Sequence, residues 1–298
     1  MTDAITMDAV SRNFGRVRAL ADVTFTVPEH SIVGLLGRNG AGKTTIMSLL
    51  AGQDRPTSGR VTVLEHNPFE HAPTLAQISY VRDNQRYPDD YRLHHVMRIA
   101  PDFAPQWSPE IAAELVDGFR IPAKTPIKKL SRGQLSSVAI MLGLASRAPV
   151  TLLDEPYLGL DVGARELFHR ILIRDYEEHP RTVIFSTHLI EESDSLFDRI
   201  LIMDAGRVAL DADSDEARVS AWVMTGTTDA VSRIAAHAQP LATTTVGGLM
   251  SATGAGHLNE DVLARASESG IHIAPATIQQ LVAAYGATEL PHNSIGQV

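Results

Sequence analysis

The chain has 298 residues, 44% of them hydrophobic and 20% charged, a composition typical of a water-soluble globular protein with one large domain plus an appendage, or two domains. It contains no cysteine, which excludes disulfides, thiol catalysis and Cys-ligated metal, and its 12 histidines lack metal-ligand spacing, so we expect no structural metal. The net charge of −9 argues against a broad basic surface, and we expect no nucleic-acid partner. Because no apolar run approaches the roughly 18 residues of a membrane helix and the first residues lack signal-peptide features, we expect a cytosolic chain.

The N-terminal segments 5–10 and 23–27 alternate apolar and polar residues, as half-buried strands do. A turn over residues 13–16 separates them, so we predict an antiparallel pair. Phe14, in that turn, is either a platform on which a purine ring stacks or a hydrophobic residue that closes the edge of the sheet.

An apolar strand over residues 32–36, a glycine-rich turn and a helical pattern from residue 46 come next. The turn matches the pattern G-x-x-x-x-G-K-T, whose glycines let backbone N–H groups point into one concavity beside a helix N-terminus that favours an anion. Lys43 is expected to reach the β- and γ-phosphates of a nucleoside triphosphate, and Thr44 is expected to bind Mg²⁺. A glycine-rich turn before a lysine-bearing helix is the alternative; the flanking strand and helix favour the nucleotide site.

From about residue 67 to residue 125 the chain is rich in prolines and aromatic residues, and segments 93–99 and 109–119 have helical periodicity. We predict a helical insert whose Tyr and Trp side chains form either its core or a groove for a partner. Ser131 is a good N-cap for a helix that continues to about residue 146. The start of this helix is either a second anion site or an ordinary capped helix.

Residues 150–153 form a short apolar run, typical of a buried parallel strand, which ends in Asp154 and Glu155. Nucleotide chemistry takes place at the carboxyl ends of such strands. We therefore assign Asp154 to Mg²⁺ binding and Glu155 to the base that orients the attacking water. A second buried strand, residues 182–185, leads to His188, which either has a structural role or contacts the γ-phosphate.

Five motifs, in order, resemble those of the nucleotide-binding subunit of an ATP-binding-cassette (ABC) transporter over about residues 3–212. They are the phosphate loop GRNGAGKT, the signature LSRGQ, the Walker B run VTLLDE, the D-loop LGLD and the switch-histidine segment STHLIEE. The resemblance implies an α/β fold, the ABC ATPase cassette, which has a RecA-like core sheet, an antiparallel β subdomain and a helical subdomain. Residues 1–212 would form this nucleotide-binding domain, with the helical insert at about 67–149.

The resemblance also implies a role for each matching residue. Phe14 would stack on adenine. The phosphate loop would bind the nucleotide through Gly37, Arg38, Asn39, Gly40, Ala41, Gly42, Lys43, Thr44 and Thr45. The catalytic residues would be Lys43, Glu155 and His188, and the Mg²⁺ ligands would be Thr44 and Asp154. The residues that act across a head-to-tail dimer would be Ser131, Arg132, Gly133 and Gln134 of the signature and Asp161 of the D-loop.

Two positions depart from the pattern of the family. Asp83 stands where the Q-loop of the family usually has glutamine, and Gln85 follows two residues later, so both are candidates for that role. Arg132 stands where glycine is common in the signature, and it either adds a cation near the phosphates in trans or faces solvent.

The resemblance implies ATP hydrolysis with Mg²⁺ that powers a transmembrane permease subunit on a separate chain, with a second cassette, in a homodimer, as the other partner. General likeness favours bacterial ABC-2-type exporters, so we predict an exporter subunit in the cytoplasm, peripheral on the inner face of the cell membrane. The alternative is a soluble ABC ATPase that remodels a nucleoprotein or protein complex. A single Lys-containing phosphate loop and the lack of sustained heptads disfavour it. A cassette that binds ATP without hydrolysing it is disfavoured by Glu155 and His188.

Residues 213–298 alternate short apolar and helical segments, which predicts a small α+β accessory domain. Threonines 243–245 and the glycines between residues 247 and 256 are typical of a turn-rich segment without a ligand motif. We expect this domain to serve in dimerisation or regulation, or only to stabilise the cassette. The tail from about residue 289 is expected to be disordered.

Overall fold

The computed structural model describes residues 2–82 and 85–287 of the chain. These residues divide into two compact units, one that ends at Asp211 and one that begins at Ala212. Asp83, one candidate for the Q-loop role, lies outside the described residues, and so does the tail from about residue 289.

The first unit alternates strands and helices over most of its length. Its strands are β1 (Asp3–Phe14), β2 (Val17–Pro28), β3 (Ile32–Gly37), β4 (Ser58–Val63), β5 (Ile78–Arg82), β6 (Val150–Asp154), β7 (Thr182–Ser186), β8 (Arg199–Asp204) and β9 (Arg207–Asp213). Its α-helices are α1 (Lys43–Leu50), α2 (Ala72–Leu75), α3 (Leu93–Phe103), α4 (Pro109–Gly118), α5 (Arg132–Ala145), α6 (Val162–Glu178) and α7 (Ile190–Ser193).

The central sheet of the first unit has the strand order β5-β6-β7-β3-β8-β9. Its first five strands in this order pair in parallel. Strands β6 and β7 are buried along their whole length, as expected of strands that are covered on both faces. Asp154, the last residue of β6, is in register with Ser186, the last residue of β7. The carboxyl ends of neighbouring strands therefore meet at one edge of the sheet, where the sequence motifs lie.

An antiparallel sheet of order β2-β1-β4 shares an apolar core with α1 and the central sheet. Alternate residues of β1, such as Ile5 and Met7, are fully buried in this core. Both strands are longer than the predicted segments 5–10 and 23–27, because their polar ends continue the hydrogen-bonded ladder as far as the pair Phe14 and Val17.

The predicted helical insert, about residues 67–149, is only partly helical. Within it, β5 pairs in parallel with β6, from Ile78 opposite Val150 to Arg82 opposite Asp154. Strand β5 lies at the end of the strand order and is mostly half-buried, so it lacks the continuous apolar run that reveals β6 in the sequence. The one-turn helix α2 precedes β5, and the longer helices α3, α4 and α5 follow it, of which α4 and α5 pack against each other.

The second unit has the element order β–α–β–β–α–β, with one further helix before it and one after it. Its elements are α8 (Ser214–Ser220), β10 (Trp222–Thr227), α9 (Thr228–Ala238), β11 (Ala242–Val246), β12 (Leu249–Gly254), α10 (Glu260–Glu268), β13 (His272–Pro275) and α11 (Ile278–Tyr285). The strand order β11-β12-β10-β13, with antiparallel neighbours, is the ferredoxin-like arrangement. Trp222 and Met224 of β10 form a core with Val231 of α9 and Val262 of α10.

Threonines 243–245 do not lie in a turn, in contrast to the expectation from sequence. They form the middle of β11, which pairs with β12 through a turn at Gly247 and Gly248. The three threonine side chains are exposed because β11 is an edge strand of its sheet. An edge strand without a buried face shows no alternation of apolar and polar residues, and this is why the sequence pattern missed it.

Candidate active site

The loop between β3 and α1 requires glycine at two positions. Gly37 has a φ of 137°, and a Cβ atom there would lie 2.3 Å from the carbonyl oxygen of Met203. Gly42, the N-cap of α1, has a φ of 107°, and a Cβ atom there would lie 2.7 Å from Cδ2 of Leu20. The loop therefore ends at the N-terminus of α1, where backbone N–H groups without helical partners are available to an anion.

Lys43 begins α1 and turns back over the loop that precedes it. Its Nζ donates hydrogen bonds to the carbonyl oxygens of Gly37, at 2.7 Å, and Arg38, at 3.3 Å, and the residue is 7% exposed. Burial lowers the pKa of Lys43 from its ordinary value, while the charges of Glu155 and Asp154 oppose that shift. A buried cation held near two carboxylates is suited to exchange loop carbonyls for phosphate oxygens.

A cavity of about 210 Å³ joins the phosphate loop to the end of β6. It is lined by Ala19, Asn39, Gly40, Gly42, Lys43, Thr44, Thr45, Asp154 and Glu155. The structure thus brings together most of the residues that the sequence assigns to phosphate, Mg²⁺ and water.

Asp154 is 6% exposed, and hydrogen bonds hold its carboxylate in place. Oδ1 accepts a hydrogen bond from the Ser186 hydroxyl at 2.7 Å, and the Tyr80 hydroxyl lies 3.5 Å from Oδ2. Burial, followed by the charge of Asp154, raises the pKa of Tyr80 to about 12, so its hydroxyl stays protonated. The oriented Asp154 carboxylate and Thr44, whose side chain carries a hydroxyl, line the same cavity and offer the oxygen ligands that Mg²⁺ prefers, so these residues fit the ion.

Glu155 and His188 are in direct contact. Glu155 has a left-handed backbone with a φ of 50°, and its N–H donates to the Ser186 hydroxyl at 3.0 Å. Its Oε2 lies 2.7 Å from Nδ1 of His188 and accepts a hydrogen bond from the backbone N–H of His188 at 3.3 Å. The side chain of Glu155 is 18% exposed and that of His188 is 52% exposed, so the histidine faces solvent on its far side.

Phe14 lies beside a second cavity, of about 370 Å³, whose lining includes Thr44 and Thr45 of the phosphate-binding cavity. Phe14 is 49% exposed, as a stacking platform requires. The Arg12 guanidinium lies 4.3 Å from the centroid of the Phe14 ring and pairs with Asp54 at 2.7 Å. Arg12 covers one side of the ring, which leaves the other side for a base.

The signature and the D-loop lie next to each other. Ser131 caps α5 in a capping box with Gln134, as the sequence predicts for this helix. A Cβ atom on Gly133 would lie 2.1 Å from the carbonyl oxygen of Gly159. Asp161 caps α6 by accepting a hydrogen bond from the N–H of Ala164. Arg132 and the other signature residues do not line either of the two cavities described above.

Gln85, the described candidate for the Q-loop role, lines a different cavity. This cavity of about 450 Å³ lies among β5, α3 and α5, and its wall is largely apolar and aromatic. Its ring-bearing residues are Tyr80, Tyr87, Tyr91, Phe103 and Trp107. Phe103 is 76% exposed, and Tyr87, Tyr91 and Trp107 are half-buried, so these aromatic residues form the walls of a groove.

Sequence reasoning missed four residues that orient this site: Arg12, Asp54, Tyr80 and Ser186. Each acts on a residue far away in the chain, as Tyr80 and Ser186 do on Asp154. The one available signal was the position of Ser186, which ends a buried strand next to the one that ends in Asp154.

Comparisons with known proteins agree with this fold and site. The family model described as "ABC transporter" matches residues 20–158. The aliphatic sulfonates import ATP-binding protein SsuB of Burkholderia ambifaria is 34% identical over 227 residues, which are 74% of this chain and 68% of that protein. The Nod factor export ATP-binding protein I of Rhizobium johnstonii is 30% identical over 210 residues, 68% of this chain and 67% of that protein.

Among solved structures, a dimeric ATP-binding cassette in a post-hydrolysis state, bound to ADP and Pi, is 25% identical with a TM-score of 0.61. The match covers 70% of this chain and 98% of that chain. Fold, site and relatives together define an ATP-binding cassette. The chain belongs to the ABC transporter family and is an ABC ATPase.

The prediction of the family, of the fold class and of ATPase chemistry is confirmed. The exporter subtype stays a prediction, because the relatives include both import and export proteins. In the part of the chain that the structure describes, no helix combines the length and the apolar character that a membrane crossing requires.

Proposed function

We propose that this chain hydrolyses ATP, as one half of a head-to-tail dimer of cassettes, to power a transmembrane permease on a separate chain. The observation that carries the proposal is the meeting of Lys43, Asp154 and Glu155 around one cavity at the carboxyl edge of the central sheet, with His188 in contact with Glu155. Such a site combines a phosphate cradle with a base for water.

We assign nucleotide binding to Phe14 and the phosphate loop. The exposed side of the Phe14 ring stacks on adenine, and Lys43 leaves the carbonyls of Gly37 and Arg38 to contact the β- and γ-phosphates. Thr44 and Asp154 hold Mg²⁺, which neutralises phosphate charge when it is bound.

Hydrolysis falls to Glu155 and His188. The Glu155 carboxylate, fixed by its backbone bond to Ser186, accepts a hydrogen bond from the attacking water and orients it in line with the γ-phosphate. When nucleotide binds, His188 leaves Glu155 and contacts the γ-phosphate instead. Its ring is already half-exposed to solvent and is therefore free to turn. The pair is therefore poised to rearrange when nucleotide enters.

The dimer completes the site. Because the signature residues are absent from both cavities around the phosphate loop, we assign the α5 N-terminus, from Ser131 to Gln134, to the ATP held by the other subunit. Asp161 crosses the same interface. The dimeric cassette of similar fold, bound to ADP and Pi, supports this arrangement.

The permease docks at the groove among β5, α3 and α5. Its largely apolar wall and the exposed Phe103 suit an apolar segment of the permease that projects from the membrane, and the groove begins beside β5, which pairs with the strand that carries Asp154. Gln85, on the wall of the groove, is then the described residue best placed to relay docking to the nucleotide. The chain lies in the cytoplasm, held at the inner face of the membrane by this contact.

Export is the direction that we propose, in the manner of ABC-2-type systems. The export relative at 30% identity supports it, whereas the import relatives are more similar, at up to 34% identity. The experiment is to purify the chain from its native membranes in mild detergent, identify the proteins that accompany it and assay ATPase activity in the same sample. A stoichiometric multi-span membrane protein is expected, and its reconstitution with the chain in liposomes reports the direction of transport.

The second candidate is a soluble ABC ATPase that remodels a nucleoprotein or protein complex. Ribosomal, DNA-bound or wholly soluble companions in the same purification would overturn the transporter proposal in its favour.

The second unit, from Ala212, is assigned to dimerisation or regulation of the cassette.

A further inference from the structure

Three side chains from three segments meet in the interior beside the catalytic residues. Tyr157 lies in the turn between β6 and α6, His169 lies on α6, and Ser193 ends α7. The Tyr157 hydroxyl is hydrogen-bonded to Nε2 of His169, and the Ser193 hydroxyl lies 2.9 Å from it. Tyr157 is 2% exposed and Ser193 is fully buried.

Packing alone does not explain the hydroxyl of Tyr157. Its ring packs edge-on against Phe168 and Phe185, with centroids 5.8 Å and 5.1 Å away, and phenylalanine would make the same contacts. A buried hydroxyl costs free energy unless it is hydrogen-bonded, so it is stable here only with His169 and Ser193 in place. The hydroxyl therefore specifies the position of both neighbours.

These bonds tie together the two segments that carry Glu155 and His188. Tyr157 follows Glu155 by two residues, in the same turn that leads to Asp161. Ser193 follows His188 by five residues, and its hydroxyl also lies 3.1 Å from the carbonyl oxygen of Leu189. An ion pair between Arg165 of α6 and Glu192 of α7, at 2.9 Å, runs beside the network.

We propose that the Tyr157–His169–Ser193 hydrogen bonds position Glu155 and His188 for hydrolysis, with Tyr157 as the central positioning residue. This inference rests on the proposed roles of Glu155 and His188. A bond between the Glu155 turn and α7 limits how far the two segments can separate, so Glu155 and His188, which are 2.7 Å apart here, stay near each other when His188 turns to the γ-phosphate. Loss of the bond lets the pair drift from the geometry that in-line attack needs.

Each of the two bonds to Tyr157 has its own proton. Burial raises the pKa of Tyr157, which stays protonated, and burial lowers the pKa of His169, which stays neutral at neutral pH although Glu192 opposes that shift. The Ser193 hydroxyl then donates to Tyr157, and Tyr157 donates to Nε2 of His169. The bonds to Tyr157 are therefore satisfied in one consistent order.

The test uses the full chain with Tyr157→Phe, Ser193→Ala and the double variant. We expect Tyr157→Phe to lower kcat for ATP hydrolysis by about tenfold, with KM for ATP unchanged, because a small misplacement of catalytic groups is costly. The rate is divided by the number of nucleotide-binding sites, counted by nucleotide titration, so that a loss of folded protein is not mistaken for a fall in kcat. We expect Ser193→Ala to lower kcat to a similar extent, and we expect the double variant to lose no more of its kcat than either single variant.

Tyr176→Phe is the matched control. It removes a hydroxyl from α6, the helix that carries His169. This hydroxyl donates to the carbonyl oxygen of His30 at 2.6 Å, and kcat is expected to stay at the wild-type value. The inference would be overturned if kcat per site for Tyr157→Phe stayed within about twofold of wild type. It would also be overturned if the fold losses in kcat of the two single variants multiplied in the double variant. Glu155→Gln is measured in parallel. If the unaltered chain does not hydrolyse ATP, the proposed function itself fails. If Glu155→Gln turns over as fast as the unaltered chain, the role of Glu155 as base fails. If Glu155→Gln loses activity, an unaffected Tyr157→Phe overturns only the positioning role.

Discussion

At the scale of single residues, Glu155 is the side chain on which turnover should depend most. Glu155→Gln keeps the shape of the side chain but removes the base, so we expect hydrolysis to fall by about a hundredfold or more. ATP binding should persist, and ATP should trap a closed dimer that size-exclusion chromatography detects. Glu178→Gln, at the exposed end of α6, is the control. Unchanged turnover in Glu155→Gln would disprove the role of the base.

Phe14 should govern affinity for ATP rather than turnover. Phe14→Ala removes the platform beside the second cavity, and we expect KM for ATP to rise by about tenfold with kcat nearly unchanged, because base stacking contributes about 1–3 kcal/mol. Val17→Ala, which alters the exposed residue paired with Phe14 in the ladder, is the matched control. Equal KM values for both variants would mean that Phe14 does not stack on the base.

At this scale the sequence predicted the residues that lie within motifs and missed those that act across the fold. Lys43, Asp154 and Glu155 are recognisable because their chemistry follows from the local strand, loop and helix pattern. Arg12 is not recognisable in this way, because its role depends on an ion pair with Asp54, which lies far away in the chain. Pairings of that kind leave no local pattern.

At the scale of elements, α6 carries both a buried and an exposed ion pair. Asp175 is fully buried and contacts Arg147 at 2.7 Å and Arg181 at 2.9 Å. Asp175→Asn leaves two largely buried guanidinium groups without a carboxylate, so we expect the free energy of unfolding to fall by about 3–5 kcal/mol, measured by urea denaturation.

Glu114→Gln is the counterpart to Asp175→Asn on the surface. It breaks the ion pair with Arg174. The Glu114 side chain is 38% exposed and the Arg174 side chain is 47% exposed, so we expect the free energy of unfolding to fall by only about 0–1 kcal/mol. Equal costs for the two variants would show that burial does not set the strength of these pairs.

Two edge strands were harder to predict than the helices. The helix that Ser131 caps, α5, ends at Ala145, close to the predicted end at about residue 146, because its cap and period are local. Strands β5 and β11 were missed, because one lies within a proline-rich segment and the other is formed largely of exposed threonines. Their partners, β6 and β12, stabilise them, and pairing is not visible in a single stretch of sequence.

At the scale of the whole molecule, the second unit has its own core and is separable in principle from the cassette. If it serves in dimerisation, deletion of residues 214–298 in the Glu155→Gln background should raise the protein concentration needed for the ATP-bound dimer by about tenfold, measured by sedimentation. The ATPase rate of the same deletion in the otherwise wild-type chain is the companion measurement. Unchanged dimerisation and an unchanged rate would leave the unit with a stabilising role only.

The contact between Gly133 and Gly159 has a consequence for how two ATP molecules would be used. It joins the start of α5 to the D-loop through backbone atoms, and the Ser136 hydroxyl, which donates to the carbonyl oxygen of Leu158 at 2.6 Å, reinforces it. In the proposed dimer, α5 senses the nucleotide of the other subunit, whereas the D-loop continues the turn that carries Glu155. Occupancy of one site is then transmitted to the catalytic base of the other, and hydrolysis should depend on ATP concentration with positive cooperativity.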